Sequence, residues 1–393
     1  MKIPTQYHRA LAAWCPLALL TIIAIAPVPA PAQQLSQLFG NAAGAISKVA
    51  SVQVAQDYFV TAVINSTGNL EVIAWYANLN SKQLVRQGTW YAGPASAVAI
   101  SSPFALGAGV SGVFTTATID ANSYLDIIYW QLQPNGAISK VAETEQDGGA
   151  LAVSIASVYY SQNGDPQFMT AIRNYTGNLQ VSLWYLDPTY GIELSGTAYA
   201  GAVSAVSIAC LQDLHSDVVT AVENSLGNLE VIQWFYNGSA VTRGSTAYTT
   251  TPAQSVAVVP GVETLNNPPF FVNAFCTAVP NPWTTVSPWN QDFGSQGGGV
   301  TAGIASQLAM IGHNGAAITV STPYSSGGTY SLWVFDQNNS NQFSQVTGAL
   351  GAYATAVSIT LVDTSSSSVT TFAVAYRNSA GNLQIQLWNF LWG

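Results

Sequence analysis

Residues 61–75 read TAVINSTGNLEVIAW, and nearly the same string returns as TAIRNYTGNLQVSLW at 170–184 and TAVENSLGNLEVIQW at 220–234. AVAYRNSAGNLQIQLW (373–388) is a fourth copy; TTATIDANSYLDIIYW (115–130) and ITVSTPYSSGGTYSLW (318–333) are looser ones. A fixed internal period constrains a fold more tightly than any local propensity. Upstream of these copies stand short runs of the Ala-Val-Ser-Ile type, beginning at Ser51, Ala97, Ala152, Ala205, Ser255, Thr301 and Ala356. The starts are 46 to 55 residues apart, so seven units fill nearly all of the chain beyond residue 32.

Each unit reads as four short strands. Ala97-Val98-Ala99-Ile100 is a small apolar run suited to a crowded inner strand covered on both faces. Residues 59–64 (FVTAVI) give a second strand, 70–76 (LEVIAWY) a third, and 83–91 (QLVRQGTWY) a more polar fourth. β-Branched and aromatic residues favour such pleated surfaces. The Asn-x-x-Gly-Asn element between strands two and three is a hairpin loop in which Gly supplies positive φ. Four strands that cannot bury themselves alone, repeated at this period, describe a propeller blade. The string GAISKVA at 44–50 returns at 136–142, where the register makes it a fourth strand, and the last unit stops after its third. The predicted fold is therefore all-β: a seven-bladed β-propeller of four-stranded antiparallel blades, its ring closed by an N-terminal strand at 44–50 pairing with the last blade. A β-solenoid or paired sandwiches are the other arrangements the period allows.

The first 32 residues read as a signal peptide. Lys2 and Arg9 precede an apolar stretch densest at 17–26, and Ala30-Pro31-Ala32 places cleavage before Gln33. The alternative, a retained anchor, meets Pro16 and Pro27 and a short apolar run. Cys15 follows bulky Trp14 and precedes the apolar run, so it makes no lipoprotein site. The domain is then 33–393, secreted or periplasmic, with no membrane span after signal removal. Seven basic residues against eighteen acidic ones leave it at −11, which argues against nucleic acid as a partner. Only Cys210 and Cys276 remain, either paired or as two buried thiols.

Units five and six are irregular. Between 260 and 299 the third-strand motif gives way to PNPWTTVSPWNQDFGSQGGG, with Trp283 and Trp289 among Pro and Gly. Two readings stand: a loop laid over the blade, hence a private interaction site for a protein partner, or a degenerate blade patched with aromatics. The recurrent Trp75, Trp130, Trp184, Trp234, Trp333 and Trp388 either pack blade on blade or stack on sugars.

In a meander the loop from strand two to three and the link from strand four to the next unit emerge on one side. The loop carries Asn65, Asn174, Asn224 and Asn378; the link region carries Tyr91, Tyr199, Tyr248 and Tyr353. Aromatic faces beside planar amides suit neutral sugars, whose C–H patches stack while their hydroxyls find partners. The other reading has Asn and Gly making turns and Tyr capping the core. Arg173, Glu223 and Arg377 precede those Asn residues where unit one has Ile64; Arg86 and Arg243 on fourth strands read as solvated. Glu71, Glu230 and Asp126 share a slot with Gln180 and Gln384, which favours hydrogen bonding over acid–base work.

An enzyme finds little support. His215 and His313 lack metal-ligand spacing, no nucleophile elbow or phosphate-cradling loop occurs, and no cofactor or metal is expected. The acidic run at 143–147 reads as a solvated turn or weak cation site. An extracytoplasmic glycan hydrolase or lyase would need two carboxylates meeting across the ring.

The Gly-Asn-Leu-x-Val-x-x-Trp strand and the Ala-Val-Ser-Ile inner strand make the whole mature chain resemble the bladed lectin-like superfamily, which includes fucose-specific lectins and related bacterial propeller lectins. No Trp-Asp dipeptide or Asp-box accompanies them. The resemblance implies a propeller fold and ligand pockets between adjacent blades, lined by Arg, Glu and aromatic residues. Arg stands in only some units here, so the fucose-gripping set does not carry over residue by residue. The function expected is non-enzymatic carbohydrate binding at several equivalent inter-blade sites.

Overall fold

The computed structural model describes residues 34–103, 112–146, 148–158, 165–211, 217–237, 239–260, 270–276, 283–290, 300–304, 307–313, 316–322, 328–337, 343–366 and 368–392. The leader read at 1–32 lies outside them. Among them no helix is long and apolar enough to cross a membrane. The described residues form antiparallel strands, most of them in consecutive four-strand meanders.

Chain order begins with β1 (Gln34–Ala55), β2 (Tyr58–Asn65), β3 (Asn69–Asn78) and β4 (Gln83–Pro94), then β5 (Ala97–Ser101), β6 (Val113–Ile119), β7 (Leu125–Leu132) and β8 (Ile138–Gln146). It continues through β9 (Ala150–Val158), β10 (Gln167–Asn174), β11 (Asn178–Asp187), β12 (Gly191–Cys210), β13 (Asp217–Asn224), β14 (Asn228–Tyr236) and β15 (Val241–Pro252). Next come β16 (Ser255–Pro260), β17 (Phe270–Cys276), β18 (Trp283–Asn290) and β19 (Val300–Ile304), followed by β20 (Gln307–His313), β21 (Ala316–Thr322), β22 (Gly328–Gln337) and β23 (Phe343–Ala354). The chain ends with β24 (Val357–Asp363), β25 (Val369–Arg377) and β26 (Asn382–Leu391). Strands β5–β8, β16–β19 and β20–β23 each form one four-stranded sheet. The long strands β1 and β12 each serve two meanders, giving two seven-stranded sheets, β24-β25-β26-β1-β2-β3-β4 and β15 through β9.

The double role of β1 relocates the N-terminal strand that pairs with the last unit. Gln34 to Ala45 pair with β26, from Gln34 opposite Leu391 to Ala45 opposite Asn382; from Ile46 onward β1 pairs with β2. The GAISKVA string at 44–50 thus spans the change of partner, whereas at 136–142 it forms a hairpin turn and the start of a fourth strand. Residues 34–45 supply the pairing that the sequence reading gave to 44–50.

The first strands of the meanders lie side by side in the order β1, β5, β9, β12, β16, β20, β24, and β24 lies against β1. Residues from all seven line one cavity of about 210 Å³. One expectation is not met: Ala97 to Ile100 are half-buried, and of this strand Ile100 and Ser101 line the cavity. Second strands are the ones covered on both faces. β2 is buried from Phe59 to Ile64, so its apolar residues run continuously instead of alternating.

The hydrophobic clusters join neighbouring meanders. One holds Ile73 and Trp75 of β3 against Ala373 and Ala375 of β25; another holds Ile232 and Trp234 of β14 against Met169 and Ala171 of β10. The recurrent Trp residues therefore pack unit on unit. An indole buried this deeply needs a partner for its N–H. Trp75, Trp130, Trp184 and Trp234 donate from Nε1 to Thr61, Thr116, Thr170 and Thr220, at 3.0, 2.8, 2.9 and 2.9 Å. Thr lies fourteen residues before Trp in every case, diagonally across the second and third strands.

Candidate functional site

The rim begins with the hairpin that repeats between second and third strands. Asn65 Oδ1 accepts from the backbone N–H groups of Thr67 and Asn69 at 3.0 and 3.1 Å and from Thr67 Oγ1 at 2.7 Å. Asn174 Oδ1 makes the same three bonds, while Asn224 and Asn378 Oδ1 accept the two backbone ones. Each turn needs positive φ at its fourth residue, where Gly68, Gly177, Gly227 and Gly381 lie between +74° and +84°. The carbonyls of these glycines accept from Ala95, Val203, Ala253 and Ile46 at 2.7–2.8 Å. Those donors sit where the chain passes from a fourth strand to the next first strand, so the loop and the link do share one rim. The Asn side-chain oxygens serve the turns.

The tyrosines lie beside this rim and point into solvent. Tyr91, Tyr199 and Tyr248 are 61, 61 and 63% exposed and stand opposite Glu71, Gln180 and Glu230 across the third and fourth strands. Tyr353, opposite Thr329, is half-buried. Arg86 and Arg243, read from sequence as solvated, are exposed and are also bound across the same face. Arg86 donates from Nη2 to Glu71 Oε1 at 2.8 Å and from Nε to Thr89 Oγ1 at 2.8 Å. Arg243 repeats this with Glu230 at 3.0 Å and Thr246 at 3.2 Å. The exposures also match: 39 and 13% for Arg86 and Glu71, 38 and 13% for Arg243 and Glu230.

A register slip hid this pairing from sequence reasoning. The ladder shifts between Ala74 and Trp75, and between Ile232 and Trp234, which turns the Arg onto the face of the Glu. The readable signal was Arg-x-x-Thr-x-Tyr, present at 86–91 and again at 243–248. Unit three keeps Thr197 and Tyr199 but has Leu194 in place of Arg.

Alternation along the strands decides which junction each group faces. Glu71 shares its face with Ile73 and Trp75, which pack on Ala373 and Ala375, and Arg377 continues that β25 face. Glu230 shares its face with Ile232 and Trp234, which pack on Met169 and Ala171, and Arg173 continues that β10 face. Two junctions therefore share one composition: Arg at the end of a second strand, with Glu, Arg, Thr and Tyr from the next unit. Where the second strand ends in Ile64, the next unit has Asp126, Lys140, Glu143 and Glu145 in the corresponding slots. The two strand-end arginines differ in detail. Arg377 donates from Nε to the Ile46 carbonyl at 2.6 Å and from Nη1 to Thr355 Oγ1 at 3.0 Å, so it braces the point where β1 changes partner. Arg173 Nε is buried without a hydrogen-bond partner. Glu223 is half-buried at the end of β13.

Asp126 is electrostatically distinct. Burial, followed by the charges of Glu143 and Glu145, pushes its carboxyl up to about 7, against a weaker pull from Lys140. The folded state thus binds a proton that the unfolded chain releases near pH 4. That contribution is complete below pH 4 and is lost as pH rises through 7. Asp126→Asn should leave stability unchanged at pH 4 and raise it at pH 8 by about 1–2 kcal/mol, after discounting a three-unit shift for solvent screening. Urea titrations at the two pH values check this; an equal effect at both would refute it.

Trp283 and Trp289 lie on β18, which pairs with β17 and β19 as an ordinary third strand. Trp289 is 5% exposed and packs with Ala209, Leu211 and Val256. The stretches 277–282 and 291–299 lie outside the described residues. Cys210 is buried and its Sγ donates to the Leu211 carbonyl at 3.4 Å. Burial lowers the pKa of His313, which sits 6.5 Å from the Trp392 ring; His215 lies outside the described residues. Among the described residues no group of three or more His, Cys, Asp or Glu is placed to hold a metal ion.

No protein-family model matches the chain, and no curated protein does. Solved structures do. The fucose-specific lectin from Aleuria aurantia superposes with a TM-score of 0.51 at 10% identity, over 79% of this chain and 97% of the lectin. The SapL1 lectin, solved in complex with α-methyl fucoside, gives 0.51 at 14% identity, over 78% and 96%. An Aleuria aurantia lectin structure described as a six-bladed β-propeller gives 0.49 at 10% identity. At such identities the likeness is one of fold: this is an all-β chain of four-stranded antiparallel sheets whose architecture resembles that of the fucose-specific propeller lectins.

Proposed function

We propose that this protein is an exported, non-enzymatic seven-bladed propeller that binds neutral carbohydrate between blades, at the junction of units seven and one and at that of units three and four. The observation that carries this reading is the matched set Glu71, Arg86, Thr89, Tyr91 and Glu230, Arg243, Thr246, Tyr248, with Arg377 and Arg173 on the facing strands. An exposed phenol ring gives a stacking face, and a half-exposed guanidinium fixed by Glu and Thr presents its remaining N–H groups in one plane. A carboxylate beside it accepts from a hydroxyl. That is the complement of a sugar with adjacent hydroxyls. Asn65, Asn174, Asn224, Asn378, Tyr199 and Glu223 would frame the same rim.

Seven blades are supported by the seven first strands around one cavity and by the pairing of Gln34 to Ala45 with β26. The aligned lectins are covered almost entirely by 78–79% of this chain, and six repeats of about 51 residues make up that share, leaving one unit over. Export rests on the apolar leader, which ends just before the first described strand.

Calorimetry of the 33–393 chain against neutral monosaccharides, α-methyl fucoside included, tests the function. Two sites of like affinity are expected, with Arg86→Leu removing one and Arg86→Leu/Arg243→Leu removing both. Absence of heat with every neutral sugar on a glycan panel refutes the reading.

A further inference from the structure

A second concavity lies away from the Asn and Tyr rim, toward the hairpin that joins β11 to β12. It has a volume of about 340 Å³ and is walled by Val141 and Glu143 of β8 on one side and by Leu186, Asp187, Pro188 and Tyr190 on the other. That volume falls in the range of small-molecule sites. We propose that this pocket binds a small organic cation: a protonated or quaternary amine carried on a compact apolar body.

Three features select that class. The pocket mixes an apolar wall (Val141, Leu186, Pro188) with a freely presented aromatic ring, Tyr190 being 77% exposed. A ring face of this kind attracts cations through its quadrupole. The ring is also positioned by its own turn, because Asp187 Oδ1 accepts the backbone N–H groups of Thr189 and Tyr190 at 2.6 and 2.9 Å. Gly191 at φ +88° completes that turn.

Charge is the second feature. Asp187 brings a carboxylate to the pocket, and Glu143 lines the facing wall while its own carboxylate stands on the Asp126 side of β8. Asp165, Asp187 and Glu193 also crowd the base of the hairpin, where Tyr185 hydrogen-bonds Glu193 and its phenol is raised above its ordinary pKa. Lys140, ion-paired with Glu143, is the basic group that meets this field. The local potential is therefore negative, as is the chain at a formal −9.

Third, the composition differs from that of the two rim junctions. No guanidinium lines the pocket, so it lacks the planar donor array that the two rim junctions offer to hydroxyl oxygens. A cation finds the Asp187 carboxylate and the Tyr190 ring.

The test compares choline with its neutral isostere 3,3-dimethylbutan-1-ol by calorimetry on the 33–393 chain. Choline should bind once per chain and the alcohol at least about tenfold more weakly. Tyr190→Ala and Asp187→Asn should each weaken choline about tenfold, Tyr190→Phe should preserve it, and added salt should reduce it. Equal affinity for the alcohol, indifference to Tyr190→Ala in a chain with unchanged thermal melting, or no choline heat at about 10 mM overturns the proposal. Sugar binding at the rim is a separate measurement: Tyr190→Ala leaves it intact, so either reading can fail alone.

Discussion

A chain that begins at Ile46 should melt at least about 4 °C below one that begins at Gln33, and should aggregate as it unfolds. Residues 34–45 form the outer strand on β26, in register from Gln34 opposite Leu391 to Ala45 opposite Asn382. Leu35 packs with the cluster around Tyr330 and Phe390, and Phe39 and Ala43 pack with the one around Leu383 and Leu387. Losing two large apolar contacts costs about 3–6 kcal/mol before any ladder hydrogen bond is counted. Asn41 adds a tie to the neighbouring unit, donating from Nδ2 to the Leu84 carbonyl at 2.8 Å. The exposed edge of β26 would then present Leu383, Ile385 and Leu387, all fully buried in the intact chain, beside unpaired backbone groups. Circular dichroism melts with light scattering measure both effects. A synthetic 34–45 peptide should restore part of the lost melting temperature. An unchanged melt in the shortened chain would show that the seam with β26 contributes nothing.

Much of this architecture could be read from the sequence because each unit states it in the same words. The strand boundaries at 59–64 and 70–76 fell within β2 and β3, and Gly68 marked its hairpin, since positive φ at that position leaves little choice of residue. The strand that pairs with β26 was misplaced because GAISKVA is a composition that suits either a turn entering a fourth strand or a crossover entering a first. Only the pairing partner distinguishes the two. Irregular unit five was legible as strand or loop but not as one of them, because Pro and Gly around Trp283 and Trp289 mask the alternation that marks a third strand.

The candidate site was legible in its residues and not in its contacts. Tyr91, Tyr199 and Tyr248 were visible as a series, and the structure gives all three nearly the same exposure. Arg86 and Glu71 are fifteen residues apart and Arg243 and Glu230 thirteen, so no fixed spacing links the pairs. In unit one the ladder runs one residue pair further beyond Trp before a loop of the same length, and the same register slip puts Arg on the Glu face in both units. Arg377 looked like Arg173 in sequence, yet it spends two donors on Ile46 and Thr355. A strand position fixes the face of a side chain, but the neighbouring meander decides what it meets.

The repeated Trp–Thr pair gives the second large effect. Trp234→Ala should cost about 3–5 kcal/mol in urea titration, because the indole is fully buried between units three and four. Thr220→Val should cost about 1–3 kcal/mol, the penalty of leaving the indole N–H without an acceptor. Unit seven breaks the pattern and compensates. Fourteen residues before Trp388 stands Val374, and Trp388 Nε1 donates instead to Tyr330 Oη at 3.2 Å, across the junction from unit six. The Tyr330 hydroxyl in turn donates to Gln386 Oε1, and burial pushes its pKa well above the ordinary phenol value. The ring fits only because residue 351 is glycine: a Cβ there would overlap it. Tyr330→Phe should therefore destabilise by about 1–3 kcal/mol, and adding Val374→Thr to that variant should recover most of the loss by restoring the local acceptor found in units one to four. Val374→Thr alone, with Tyr330 still in place, should give no gain, since it buries a hydroxyl beside an indole that already has a partner. If the double variant is no more stable than Tyr330→Phe, the acceptor is not what the hydroxyl supplies, and the cross-junction hydrogen bond has no part in holding the two units together.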